Sequence, residues 1–169
     1  MKDTLYNGKK IRTYTGKYVD IFNITPNDID IEDIAHALSH QCRFGGHINR
    51  FYSVAEHSIK VAEMLPKEHK LAGLLHDASE AYFIDMPTPI KNAIPGLAVI
   101  EDGIHKAVAA KFGFEYPFAQ PVKDADKFML EYEWDNRVIS DRLIGMRSTF
   151  AKHLFLDLFD ELKKWKVTK

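Results

Sequence analysis

Apolar residues recur at helical spacing through most of this chain. Ile31, Ile34, Ala35 and Leu38 predict one helix, with Asp30 placed to cap it and Glu32 and Asp33 in its first turn. Ser53-Val54-Ala55-Glu56 is a capping-box pattern that opens a second helix, with Val54, Val61, Ala62 and Leu65 inward and Pro66 as its stop. Leu71, Leu74, Leu75 and Ala78 predict a third over about 68 to 82. Leu97, Ile100, Ile104, Ala107 and Val108 predict a fourth, which Gly113 can end. Val122, Ala125, Phe128, Met129 and Tyr132 give a fifth, with Asp124 as its cap. Phe150, Leu154, Phe155, Leu158, Leu162 and Trp165 form the inward stripe of a last helix that starts after Ser148. The pattern thus holds roughly six helices.

The first 24 residues read differently. Ile11-Arg12-Thr13-Tyr14, a Thr15-Gly16 turn and Lys17-Tyr18-Val19-Asp20-Ile21 predict a β-hairpin, and Asn7-Gly8 is a second turn signal. Asp85-Met86-Pro87-Thr88-Pro89-Ile90-Lys91 reads as a stiff loop whose path is fixed by two prolines. The fold class is therefore mainly α: a compact single-domain helical bundle with a small N-terminal hairpin. Residues 1–24 form the hairpin, about 31–132 the helical core and 148–165 the C-terminal helix. The last stripe either closes the core or pairs two copies of the chain.

Composition narrows the partners. A length of 169 residues fits one domain, 1–169, with a real core. The formal net charge of −1 offers no basic field for a nucleic acid polymer. No window approaches the ~18 apolar residues of a membrane span, and Met1 to Asn7 carries no apolar run of a leader. The single cysteine, Cys42, leaves no intramolecular disulfide and no cysteine-based zinc site. The expectation is a cytoplasmic protein.

The third helix carries the chemistry. Opposite its oily face, Gly73, His76, Asp77 and Glu80 share a second stripe, and no Lys or Arg occurs from Leu71 to Ile84. A lone His-Asp pair is often just a hydrogen bond, but two acids and an imidazole without a local cation invite a positive partner. His57 lies one turn after Val54 and so points inward, and Asp126 lies in the first turns of the fifth helix. His57, His76, Asp77 and Asp126 make an N₂O₂ set from three helices. That set suits a divalent transition metal such as Zn²⁺, Co²⁺ or Mn²⁺ better than Ca²⁺ or Mg²⁺.

Taken in order, these residues resemble the HD-domain metal-dependent phosphohydrolases. The resemblance runs from about Ile31 to Tyr132. It is nearest to the small nucleotide-directed members, the bacterial 5′-deoxynucleotidases and the phage enzymes that remove triphosphate from dATP. Arg43-Phe44 matches their Arg-aromatic pair, Ser53 to Ser58 their Ser-x-x-Glu-His-Ser opening, 76 to 80 their His-Asp-Ala-Ser-Glu, and Asp85 to Lys91 their Asp-x-Pro-Thr-Pro-x-Lys.

The resemblance implies a metal held by His57, His76, Asp77 and Asp126. It implies that Glu80 handles the proton of a metal-activated water that attacks phosphorus. Asp85 is placed to protonate the leaving oxygen or hold the sugar. Arg43 and Lys91 would neutralise phosphate, His47 and Arg50 would add charge for a triphosphate, and Phe44 would pack on base or deoxyribose. The implied substrate is a small-molecule deoxynucleotide, losing its 5′ phosphate or its triphosphate. Two other readings use the same residues: a non-catalytic metal-stabilised domain that binds nucleotides or a partner, and a cyclic-nucleotide phosphodiesterase.

Overall fold

The computed structural model describes residues 6–167, so the leader expectation over Met1 to Asn7 falls largely outside the described residues. Three short strands, β1 (Tyr6–Asn7), β2 (Lys10–Arg12) and β3 (Tyr18–Val19), pair antiparallel in that order. Ile11 faces Val19 and Arg12 faces Tyr18, so the expected turn around Thr15-Gly16 is present. The strands are shorter than expected because residues 13–17 leave the ladder. Thr15 donates from its backbone N and its Oγ1 to the Asp33 carboxylate at 2.7 and 3.0 Å, and Lys17 pairs with Asp30 at 3.0 Å. The turn is thereby tied to the first helix.

Eight α-helices follow among the described residues: α1 (Ile31–His40), α2 (Val54–Met64), α3 (Lys70–Leu74), α4 (Glu80–Phe83), α5 (Thr88–Ala93), α6 (Leu97–Phe112), α7 (Gln120–Glu133) and α8 (Ser148–Val167). A 3₁₀ turn covers Phe44–Gly46, and a π-helical stretch, Trp134–Ile139, continues α7. Two expected caps are in place. Asp30 accepts from the Glu32 N–H at 3.0 Å and Ser53 from the Glu56 N–H at 3.1 Å.

The core is organised around α2. It packs against α1, α3, α7 and α8, and Val54, Ala55, Ile59, Val61 and Ala62 are buried on its several sides. Its polar residues Glu56, His57 and Ser58 are buried too. A helix enclosed all round is normally apolar, so each of these needs a partner. Ser58 donates to the Val54 carbonyl at 3.0 Å. Glu56 does not return to its cap. Its carboxylate accepts from Arg137 Nη2 at 2.9 Å, the Met146 N–H at 2.6 Å and Lys60 at 3.0 Å. That clasps the π-helical stretch and the segment before α8 against α2.

Several expectations are corrected. The helix over about 68 to 82 is broken. After Leu74 the chain winds through tight i→i+3 turns, Ala78 N to Leu75 O at 3.1 Å and Glu80 N to Asp77 O at 3.0 Å, before α4 begins. The stiff loop at 85–91 ends in a short helix, α5, because Pro89 sits where a helix tolerates proline. Phe128 and Tyr132 are 54% and 43% exposed rather than inward. The inward stripe of α7 is Val122, Ala125, Met129 and Glu133, and those two rings lie about 100° around from it. Phe150 is likewise 55% exposed, one residue out of line with the buried Ala151, Phe155 and Leu162. Asp124 accepts from Gln120 Nε2 at 2.8 Å and caps nothing, since the N-cap is Ala119. No helix among the described residues is long and apolar enough to cross a membrane.

Candidate metal centre

His57 is fully buried on α2. Its Nδ1 lies 2.8 Å from Glu133 Oε1 at the end of α7. The carboxylate accepts, so Nδ1 is the donor and Nε2 is left facing outward from α2. His76 is set the same way by a different acceptor. Its Nδ1 donates to the Gly73 carbonyl at 2.8 Å, a bond that turns the chain just past the end of α3 back onto that helix. Both rings therefore turn Nε2 toward one point, with centroids 5.2 Å apart.

Two carboxylates meet them there. Asp126 Oδ1 lies 3.0 Å from His57 Nε2 and 3.4 Å from His76 Nε2. Asp77 lies 3.2 Å from His76 Nε2 and 3.7 Å from His57 Nε2. The ligand atoms of His57, His76 and Asp126 all fall within 4.8 Å of one another. His76 Nε2 is buried and has no hydrogen-bond partner, despite the nearby oxygens. Acceptor nitrogens facing acceptor oxygens in a buried place fit a cation. The cluster can hold a metal ion, as the sequence suggested, and Asp77 stands beside it as a fourth oxygen donor. The carboxylates favour positive charge at this point, as a metal ion or as a proton on His76. Burial works against a charged His76, yet Asp77 and Asp126 outweigh it and raise its pKa to about 9.

Glu133 was not anticipated. It accepts from His57, from Arg43 Nε at 3.1 Å and from the Tyr52 hydroxyl. Burial pushes its carboxyl up, but His57 and Arg43 prevail and hold it low. Its spacing from Asp126, two helical turns on, was the available signal. Gln41 was missed as well. It donates to the Glu80 carbonyl at 3.0 Å and accepts from the Asp85 N–H at 2.8 Å, tying the start of α4 to the start of the Pro-bearing loop.

The cluster forms the floor of a cleft of about 890 Å³. Arg43, Phe44, His47, Asp77, Glu80, Asp85, Lys91 and Asp126 all line it, while His57 and His76 lie beneath. Glu80 is 6% exposed, and its Oε2 has no partner. Burial and the charges of Asp77 and Asp85 push its carboxyl up. Burial raises Asp85 too. The cations are already paired: Arg43 with Glu133 and, at 3.5 Å, Asp77; Lys91 with Glu101 at 2.8 Å. Arg50 stands apart from this cleft, bound to Asp141 at 3.1 Å.

No family model matches the chain. The Uncharacterized protein YfdR of Escherichia coli K12 is 41% identical over 123 residues, covering 73% of this chain and 69% of that protein. The chain belongs to the YfdR family. A second relative, the Uncharacterized protein RCAP_rcc00048 of Rhodobacter capsulatus, is 40% identical over 126 residues and is matched over 64% of its length. Neither name states an activity, so the chemistry of this YfdR relative has to be argued from its own residues.

Proposed function

We propose that the protein is a metal-dependent phosphohydrolase that removes the 5′ phosphate from a deoxynucleoside monophosphate. The observation that carries this reading is the pair of imidazoles held with Nε2 toward Asp126 and Asp77, on the floor of a cleft that also holds a buried Glu80 whose Oε2 has no partner. The deoxynucleotide comes from the resemblance to the HD-domain enzymes. A bound Zn²⁺, Co²⁺ or Mn²⁺ would supply Lewis acidity toward a phosphoryl oxygen and lower the pKa of water.

The chain's own groups do the remaining work. Glu80, with its raised affinity for protons, takes one from the attacking water. Asp85, also raised, returns one to the leaving 5′ oxygen. Lys91 and Arg43 offset charge on the phosphoryl oxygens from positions fixed by Glu101, Glu133 and Asp77. The charge balance favours one phosphate over three. Beyond the metal ligands and the proton-handling acids, Glu131 and Asp135 add negative charge to the cleft, while Arg43 and Lys91 are both already paired with acids. Arg50, the cation that a triphosphate would have recruited, faces elsewhere.

The test is product analysis. The protein is incubated with dAMP or dATP, each with Zn²⁺, Co²⁺ or Mn²⁺, beside an Asp77→Ala control, and products are separated by anion exchange. Orthophosphate and deoxyadenosine from dAMP, lost in Asp77→Ala, are expected. Triphosphate from dATP would make it a triphosphohydrolase instead. No turnover across a full nucleotide panel would remove the hydrolase reading in favour of a nucleotide-binding domain.

A further inference from the structure

The cleft has a second wall that the metal chemistry does not use. Trp134 lines it and is 49% exposed, with Leu130 and Val138 beside it on the same wall. Phe44 stands next to Trp134, ring centroids 6.2 Å apart and tilted 54°. Large apolar rings left open inside a concave site are surface waiting to be covered.

The local backbone is built to present these rings. Trp134 opens the π-helical stretch directly after Glu133. One residue thus holds His57 from below while the next enters the cleft. Short π-helical segments are rare and occur frequently at functional sites. Phe44 has φ of 59°, a conformation that a residue with a β-carbon avoids unless its surroundings impose it. The Arg43 guanidinium lies 5.7 Å from the Phe44 ring centroid, on the way to Glu133 and Asp77.

Resting on the phosphohydrolase reading, in which the resemblance already gives Phe44 to the base or sugar, we propose that Trp134 is the surface that stacks the base of the nucleotide and so selects nucleotides over other phosphate esters. The open face of an indole accepts any nucleobase by stacking. Glu131 and Asp135, which flank Trp134 on this wall, repel a phosphate there. The wall therefore also sets direction: base against Trp134, phosphate toward the metal ligands and Lys91.

The chain has two tryptophans, so a Trp165→Phe background leaves Trp134 as the sole indole reporter. Deoxyadenosine should quench its emission saturably, whereas deoxyribose 5-phosphate and inorganic phosphate should not. Trp134→Ala should weaken deoxyadenosine binding and raise KM for dAMP by about tenfold, with kcat little changed, and Trp134→Phe should recover most of the loss. If dAMP is hydrolysed while deoxyadenosine leaves the emission unchanged and Trp134→Phe and Trp134→Ala match the parent in KM, the base subsite falls and the hydrolase stands. If deoxyadenosine quenches but no nucleotide turns over, the subsite stands and the hydrolase reading falls.

Discussion

Glu133 decides which nitrogen of His57 is free. An acceptor behind a ligand histidine fixes its tautomer and orientation, and losing such a partner typically costs 10–100-fold in metal affinity. Glu133→Gln keeps the shape but can turn an amide N–H toward Nδ1. It should weaken Zn²⁺ binding by about that factor, read by competition with a chromogenic chelator. A second acid, Glu101, allows a prediction on pH. The His105 ring, whose Nε2 is 3.9 Å away, and the Lys91 ammonium at 2.8 Å together hold its pKa down at about 2. The folded value lies below the ordinary 4.5. The stability this pairing adds is therefore complete above about pH 4.5, fades as pH falls, and is gone below about pH 2. Urea titrations at pH 7 and pH 3 should show wild type losing more stability between them than Glu101→Gln does. Equal losses would mean that Glu101 carries no such linkage.

At the scale of elements, close approach matters as much as periodicity. A Cβ added at Gly145 would lie 2.1 Å from the Phe51 carbonyl oxygen, a backbone atom that cannot swing aside. Gly145 precedes Met146, whose N–H reaches Glu56. Gly145→Ala should cost about 1–3 kcal/mol, seen as a lower denaturation midpoint, through a backbone shift that loosens that bond. Such contacts explain what could and could not be read from the sequence. The caps Asp30 and Ser53 were legible because capping is local. The helical spans of α1, α2, α6, α7 and α8 were legible because their stripes are long. The break after Leu74 was not, since residues 71–80 keep perfect helical spacing while His76 turns back onto the Gly73 carbonyl. Phe128, Tyr132 and Phe150 were misplaced for a related reason: an apolar residue one step from a stripe looks like part of it until the neighbouring helix is known.

At the scale of the molecule, the residues expected to meet come together, Arg50 excepted. His57, His76, Asp77 and Asp126 come from three separate segments and converge, and Glu80, Asp85, Arg43, Phe44, His47 and Lys91 share one cleft above or beside them. Their shared chemistry made them legible as a set. Glu133, Gln41 and Trp134 were not, because their roles depend on which helix ends lie side by side. The convergence also has a thermodynamic side. An ion that binds only the folded chain should stabilise it, by about 2.7 kcal/mol at a hundredfold excess over Kd. For a domain of this size that is a rise in Tm of roughly 5–10 °C. Scanning calorimetry with Zn²⁺ against EDTA should show it, and the shift should vanish in a His57→Ala, Asp126→Ala double variant. An unshifted wild type would argue against a metal centre.

The π-helical stretch has a consequence in chain-length arithmetic. Glu133 lies just before it and Arg137 within it, and each anchors to α2 by its own bond, to His57 and to Glu56. The wider turn supplies the extra residue that lets both anchors be made at once. Deleting one residue at 135 or 136 would close the wider turn, leaving Glu133 in place but drawing Arg137 off its register with Glu56. The two functions of this corner would then come apart: a chain that still takes up its ion, and melts at a lower temperature because the clasp on Glu56 is gone.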